Sequence, residues 1–533
     1  MNRNRGLRTL VIVALCAVAV VFPTTRLSGQ VVSIDPAKMA RIGTVDERFQ
    51  SYNVEMLEVT GGKFWKPYSS LAKQATAPAE PSGGLTPTGM DPNLYEYRAP
   101  LNLTNARLRK MAGALGPAYI RVSGTWANTT YFQDKPGPAP KTPPAGFDGV
   151  LTQEQWKGVV DFAKAVDAKI VTSFATSPGV RDNSGVWTPV EAEKFLAYTR
   201  SVGGEIAATE YMNEPTLASM GGAPKGYDVA AYARDVKVFA PYIKKATPPT
   251  IFLGPGGVGE GGTLPLPTEG TLPSKDILVA TGPVFDAFSY HFYGAASARC
   301  GKVMPTAMTT QAAALSTEWL MGTDKIEIFY AALRDQYLPG KSLWVTETAD
   351  AACGGNEWAS TFVDTFRYLN QLGTLAQRGV QVVMHNTLDS SDYGLLNEDD
   401  YKPRPNFWAA VLWRRLMGTT VLQPGTSPSP DLHLYAHCLR GVRGGVALLA
   451  INASPLAQVM EIPKASQRYM LAAQELDSRS VQLNGRVLEL QTDDTLPSMN
   501  GMKSSAGRME LAPRTITFIG VSEAGNEACN QQR

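Results

Sequence analysis

Two glutamates stand where a carboxylate is expensive to keep. Glu214 follows Tyr211-Met212-Asn213 and precedes Pro215, and Glu347 follows Trp344-Val345-Thr346; each ends a short run rich in β-branched and aromatic residues. A charged group at the end of a buried strand costs free energy unless a function or a partner retains it. If the fold brings both strand ends to one rim, the pair can do what cleavage of a glycosidic bond requires. One carboxyl protonates the departing oxygen while the other attacks or stabilises the oxocarbenium-like centre. The plainer alternative is that each glutamate pairs with a loop cation or caps a helix. The surrounding elements decide between these.

Reading from residue 46 to 420, eight short strand-like runs alternate with amphipathic helical stretches. The runs are Phe49–Asn53, Ala118–Ser123, Lys169–Phe174, Ile206–Met212, Thr250–Gly254, Asp286–His291, Ser342–Glu347 and Val380–Asn386. Thr152 with Gln155 and Thr188 with Glu191 have capping-box spacing, and Pro189 suits a first helical turn. Eight repeats of strand and helix predict a (β/α)8 TIM barrel over residues 46–420. The helix-to-strand returns are short, whereas the long inserts (54–100, 127–150, 255–271 and 293–323) all follow strands. Such asymmetry predicts that the C-terminal strand ends form the working face. Beyond residue 420 the helical pattern stops, and alternating runs such as Val446–Ile451 and Ile516–Val521 predict an antiparallel β-sandwich domain over 421–533, with residues 30–45 adding an N-terminal strand through Val31–Ile34.

Composition narrows the class. With 44% hydrophobic and 18% charged residues among 533, the chain has material for a large core and is not broadly disordered. A formal net charge of +2 gives no electrostatic reason to expect nucleic acid or an anionic membrane as partner. Arg3, Arg5 and Arg8 precede an apolar run from Leu10 to Phe22, so residues 1–29 read as a signal peptide, too short in its apolar part to be a membrane span. Its removal takes four arginines and no acid, leaving a net charge of −2. The expected location is secreted or periplasmic, with no membrane association afterwards. Four cysteines remain, Cys300, Cys353, Cys438 and Cys529; no Cys or His spacing suggests a metal, and His433 and His437 read as one face of a strand around Tyr435.

The motifs together resemble a known family. Asn213-Glu214-Pro215, Glu347 and His291-Phe292-Tyr293 are similar to the retaining barrel glycosidases of clan A. The segment Pro117 to Thr125, the stretch from Leu343 to Gly355, and the run from Gly379 through Pro405-Asn406-Phe407-Trp408 to Thr419 resemble glycoside hydrolase family 79, the heparanase and β-glucuronidase family. The resemblance implies Glu214 as general acid/base, Glu347 as nucleophile, Asn213 as the partner of the sugar 2-hydroxyl, and Tyr293 as the residue that orients the nucleophile. His291 reads equally as a substrate contact or a satisfied core histidine. Gly354-Gly355 and Tyr393-Gly394 match the positions that contact a glucuronate carboxylate. At the end of the eighth strand, His385-Asn386 replaces an expected Arg-Gln pair, so Asn386 is the substrate-binding candidate there. Cys438 and Cys529 resemble the bridge that ties down the family's C-terminal segment; whether Cys300 and Cys353 form a second one is open.

The expected substrate is a carbohydrate containing glucuronic acid. The loop after the second strand has only Lys135 and Lys141 among its prolines, and Lys244-Lys245 and Arg414-Arg415 read as solvated helix ends, so a heavily sulfated polyanion is not the obvious choice. The leading reading is a retaining β-glucuronidase acting at chain ends. An endo-acting heparanase-like hydrolase and a catalytically dead carbohydrate binder are the alternatives, and no cofactor is implied because two carboxylates suffice.

Overall fold

The computed structural model describes residues 31–71, 87, 90–427 and 429–530; the signal-peptide segment lies outside them. Eight parallel strands close into a barrel: β1 (Gln50–Glu55), β2 (Ala118–Ser123), β3 (Ala168–Ser173), β4 (Ile206–Glu210), β5 (Ile251–Gly257), β6 (Ala287–Ala296), β7 (Ser342–Ala352) and β8 (Val382–His385). Each is followed by a main helix: α1 (Ala106–Leu115), α2 (Gln153–Ala165), α3 (Val190–Ser201), α4 (Val229–Ala246), α5 (Ser274–Thr281), α6 (Gly322–Tyr337), α7 (Phe362–Gln377) and α8 (Pro405–Leu416). The strands are buried almost throughout, as parallel strands covered by helices must be.

Several local expectations change. Strand β4 stops at Glu210, so Glu210 is the glutamate that closes it and Glu214 lies on the following turn. Strand β7 continues five residues past Glu347, because β6 pairs with it as far as Ala296 opposite Ala352; Glu347 therefore lies inside a strand. Thr152 and Gln155 form their capping box, but Thr188 and Glu191 do not. The Glu191 carboxylate instead accepts from the Phe132 amide at 3.0 Å and pairs with Lys194, while the Thr188 hydroxyl donates to the Val180 carbonyl. Arg414 is not a solvated helix end: it donates to the Gly116 carbonyl and pairs with Glu47.

The C-terminal sandwich packs a nine-stranded sheet against a three-stranded one. Strands β9 (Met417–Leu422), β10 (Leu432–Leu439) and β11 (Val446–Asn452) lie side by side in the larger sheet. The N-terminal segment supplies two strands, one to each sheet. Arg41–Thr44 pairs antiparallel with β9, whereas Val32–Ser33 pairs parallel with Gln458–Ile462, an exception in an otherwise antiparallel domain. Alternation along β10 divides the two cores: Leu432, Leu434, Ala436 and Cys438 face the sandwich interior, while Tyr435 faces the barrel.

Helix α7 carries that contact. Fifteen of its sixteen residues are buried, since it lies between the barrel and the large sheet. The Tyr435 hydroxyl donates to Asn370 Oδ1 at 2.6 Å and lies 2.9 Å from Thr374 Oγ1. Gly373 makes room for the ring, because a Cβ there would lie 2.3 Å from it. Among the described residues no helix is long and apolar enough to cross a membrane.

Candidate active site

Arg121 on β2 points into the barrel and organises the floor of the site. It is fully buried, donating from Nη1 to Glu347 Oε2 at 2.7 Å and from Nη2 to Glu210 Oε2 at 2.9 Å and Asn213 Oδ1 at 2.7 Å. Glu210 also accepts from Ser289 and Thr346. Burial opposes its charge, but Arg121, His291 and the Thr346 hydroxyl together hold the Glu210 carboxyl below the usual carboxylate range. Neither residue was a candidate from sequence. The available signal was an arginine in a strand predicted to be buried on both faces, which demands a carboxylate partner nearby.

The two candidate glutamates meet above this floor. Glu347 Oε1 accepts from the Tyr293 hydroxyl at 2.6 Å, so both its oxygens have strong partners. Glu214 sits in the left-handed backbone region, φ 48° and ψ 65°, a costly conformation for a residue with a Cβ. Asn128 secures the approach by accepting from the Asn213 amide at 2.9 Å and donating to the Asn213 carbonyl at 3.1 Å. The Glu214 carboxyl meets His291 Nδ1 at 3.0 Å, while His291 Nε2 faces Arg121 at 3.3 Å. Burial and the negative charge of Glu347 raise the Glu214 carboxyl, with the bond from His291 pulling partly the other way. Burial would lower the His291 imidazole, but Glu347 and Glu214 leave it raised. One oxygen of Glu214, one of Glu347 and a His291 nitrogen lie within 4.8 Å of one another.

A third carboxyl joins them. Glu55, at the end of β1, accepts from Asn386 Nδ2 at 3.1 Å through Oε1, and its Oε2 is buried with no hydrogen-bond partner. Gly124 is required beside it, since a Cβ would fall 1.5 Å from that oxygen. Burial, then Glu347, pushes the Glu55 carboxyl well above its ordinary value. Asn386 Nδ2 also lies 3.1 Å from the Tyr293 hydroxyl and 3.2 Å from that of Tyr393.

These groups open onto a cavity of about 400 Å³ at the C-terminal ends of the strands, lined in part by Glu55, Asn213, Glu214, Tyr293, Glu347, Asn386 and Tyr393. The fully buried His291 supports Glu214 from behind instead of lining it. Gly354, Gly355 and Gly394 also stand behind the wall. The Gly394 amide donates to the Ser391 carbonyl, and the Gly354 and Gly355 carbonyls accept from Ser391 Oγ and Arg299. Both paired glycines have positive φ, 80° and 84°, and a Cβ at Gly354 would meet Trp65 at 2.7 Å. Close packing therefore explains these glycines directly. His385, expected only as a departure from a pattern, holds the Tyr393 carbonyl at 2.9 Å from Nε2. Burial, then Arg367, pushes its imidazole down to about 4.

Both pairs of cysteines are bridged. Cys300–Cys353 joins the loop after β6 to the end of β7 at the cavity edge, and Cys438–Cys529 ties the last turn to β10. Beside the first bridge, buried Arg299 donates to the carbonyls of Lys66, Cys353 and Gly355 and pairs with Asp392. The wall behind Tyr393 is thus pinned from three loops.

Comparison with known proteins places this geometry. The model for glycosyl hydrolase family 79, N-terminal domain, matches residues 99–373. Heparanase-like protein 1 of Arabidopsis thaliana is 26% identical over 486 residues, covering 81% of this chain and 86% of that protein. Baicalin-beta-D-glucuronidase of Scutellaria baicalensis is 32% identical over 187 residues, 33% of this chain and 35% of that one. The structure of a 4-O-alpha-L-rhamnosyl-beta-D-glucuronidase from Fusarium oxysporum superposes with a TM-score of 0.62 at 10% identity, covering 92% of this chain and 99% of that one, a likeness of fold.

Proposed function

The chain belongs to glycoside hydrolase family 79, and on that premise we propose that it is an exported, retaining β-glucuronidase that removes terminal β-linked glucuronic acid. The observation that carries the reading is the approach of Glu214 and Glu347, one oxygen of each lying within 4.8 Å of the other, which supports the close carboxyl pairing of retaining enzymes (~5–5.5 Å) over the wider one of inverting enzymes (~6.5–9.5 Å).

In this reading Glu347 attacks the anomeric carbon, and the electron pair of the glycosidic bond passes to the departing oxygen. Glu214, whose carboxyl burial and Glu347 raise, delivers its proton to that oxygen, and a covalent glycosyl-enzyme forms. Glu214, now ionised, takes a proton from a water whose oxygen displaces Glu347 from the sugar. Arg121 and Tyr293, one on each oxygen, keep Glu347 aimed. Asn213, fixed by Arg121, is placed for the 2-hydroxyl.

Support for a uronate comes from Tyr393 and its surroundings. The Tyr393 hydroxyl lines the cavity, and burial with the charge of Glu347 raises the nearby Glu55 carboxyl well above its ordinary value, which disfavours a second anion beside the substrate carboxylate. Chain-end action is supported by the hairpin of Gly62–Trp65 and Tyr95–Arg98, which sets Phe64, Trp65 and Tyr95 across one side of the cavity. Export is supported by residues 1–29 and by the two disulfides, which persist in oxidising compartments. A dead carbohydrate binder would have no chemical reason to keep both glutamates.

Turnover of 4-nitrophenyl β-glucuronide beside the glucoside, galactoside and xyloside tests this. A site that pairs a carboxylate leaves donors unpaired when a hydroxymethyl group arrives, so the glucuronide should lead the glucoside by on the order of 10⁴–10⁵ in kcat/KM. Equal rates would overturn the glucuronate assignment.

A further inference from the structure

The cavity lining changes in chemistry from one group of loops to the next. Glu55, Tyr293, Asn386 and Tyr393 are polar and come from β1, β6 and, for the last two, the segment after β8. The loops after β4, β5 and β6 contribute the apolar Leu217, Met220, Leu264, Leu266 and Met304, with Leu217 and Leu264 packed against the cluster that holds Tyr293 and Tyr393. Leu217 lies on the same turn as Glu214, its amide donating to the Glu214 carbonyl at 2.8 Å. The group that protonates the departing oxygen is therefore built into the apolar wall, while the groups around Glu347 are polar.

We propose that the leaving-group side of the cavity selects a flat, apolar aglycone of the aromatic alcohol class rather than a further sugar. The inference rests on the glucuronidase reading and adds its second half. A sugar placed against Leu264, Leu266 and Met304 would lose hydration from its hydroxyls with no partners to replace it. A sulfated sugar fares worse, because among the described lining residues there is no Lys or Arg. An aromatic ring buries apolar area at no such cost. The size is also right, since about 400 Å³ falls in the range of pockets that enclose compact organic ligands. Leu264 and Leu266 sit in a Leu-Pro-Leu-Pro run and are only partly buried, so their side chains are available to a ligand. Met220 and Met304 add adaptable contact surface, which suits several ring systems.

The experiment compares phenyl and biphenyl-4-yl β-glucuronides, whose phenols are of similar acidity, with an unsulfated oligosaccharide ending in β-linked glucuronate. The second ring should raise kcat/KM roughly 10-fold or more by area buried, and the oligosaccharide should be the poorest of the three. Leu266→Asp should bring the biphenyl-to-phenyl ratio down towards one. Free biphenyl-4-ol, titrated calorimetrically, reads the apolar wall without any sugar and should bind the unmodified protein more tightly than the variant. A flat ratio with no binding of the phenol, or a preference for the oligosaccharide, overturns the proposal. Binding of the phenol without turnover of any glucuronide would instead overturn the glucuronidase reading and leave the apolar wall standing.

Discussion

The turn after β4 and the middle of β7 each carry one glutamate, and they treat it in opposite ways. Glu347 sits in regular strand geometry with an arginine on one oxygen and a tyrosine on the other. Glu214 sits on a left-handed turn, and its charged partners are weaker: one imidazole, and an arginine that reaches its neighbour Asn213 instead. The first setting gives each oxygen of the carboxyl its own donor. The second, with burial and the charge of Glu347, favours a carboxylic acid. The same side chain is thus fitted for two roles by its surroundings alone.

The largest expected effect comes from erasing the β7 member. Glu347→Ala should lower turnover of 4-nitrophenyl β-glucuronide by roughly 10⁴–10⁶-fold, the scale seen when a covalent nucleophile is removed. Azide should partly restore it and, entering the face Glu347 occupied, should give the α-glucuronyl azide. Removing the β4 member should cost less, about 10²–10⁴-fold on an unactivated glucuronide, the usual worth of a general acid. With Glu214→Ala, azide should intercept the glycosyl-enzyme and give the β-azide. Product analysis by NMR checks both, and the same anomer from both variants would break the division of roles.

The smallest effect sharpens the electrostatic half of the comparison. An acid must be protonated to act, so kcat/KM should fall as pH rises through the raised value of Glu214. In Glu347→Gln the anion that helps raise it is gone, and the Glu214 carboxyl should titrate lower than in the unmodified protein. Carbon-detected NMR of the labelled glutamates would show this; an unchanged or higher titration would mean that Glu347 does not set the value.

How far these settings can be read from sequence differs between the two regions. The barrel is legible because strand and helix periods alternate eight times, and family motifs supply Glu214, Glu347 and Tyr293. What escapes is long-range pairing. Glu210 and Arg121 look like ordinary strand residues until the barrel closes and puts them 2.9 Å apart. Glu55 escapes because its raised carboxyl depends on burial and on a charge 292 positions away in the chain. The extension of β7 past Glu347 escapes because only pairing with β6 keeps Thr348 to Ala352 extended. The glycines at 354, 355 and 394 were legible as special, yet close packing is what the structure shows them doing.

Helix α7, buried on nearly every side and notched at Gly373 for the Tyr435 ring, bears on how this protein can be dissected. A stand-alone barrel ending before Met417 would bare one flank of that helix and leave Asn370 and Thr374 without the phenol that satisfies them. Such a fragment would expose the kind of contiguous apolar strip that drives aggregation. The two domains are therefore to be expressed, shuffled or grafted as one piece, and an engineer who wants a smaller catalyst should trim the loops at the cavity mouth and keep the sandwich.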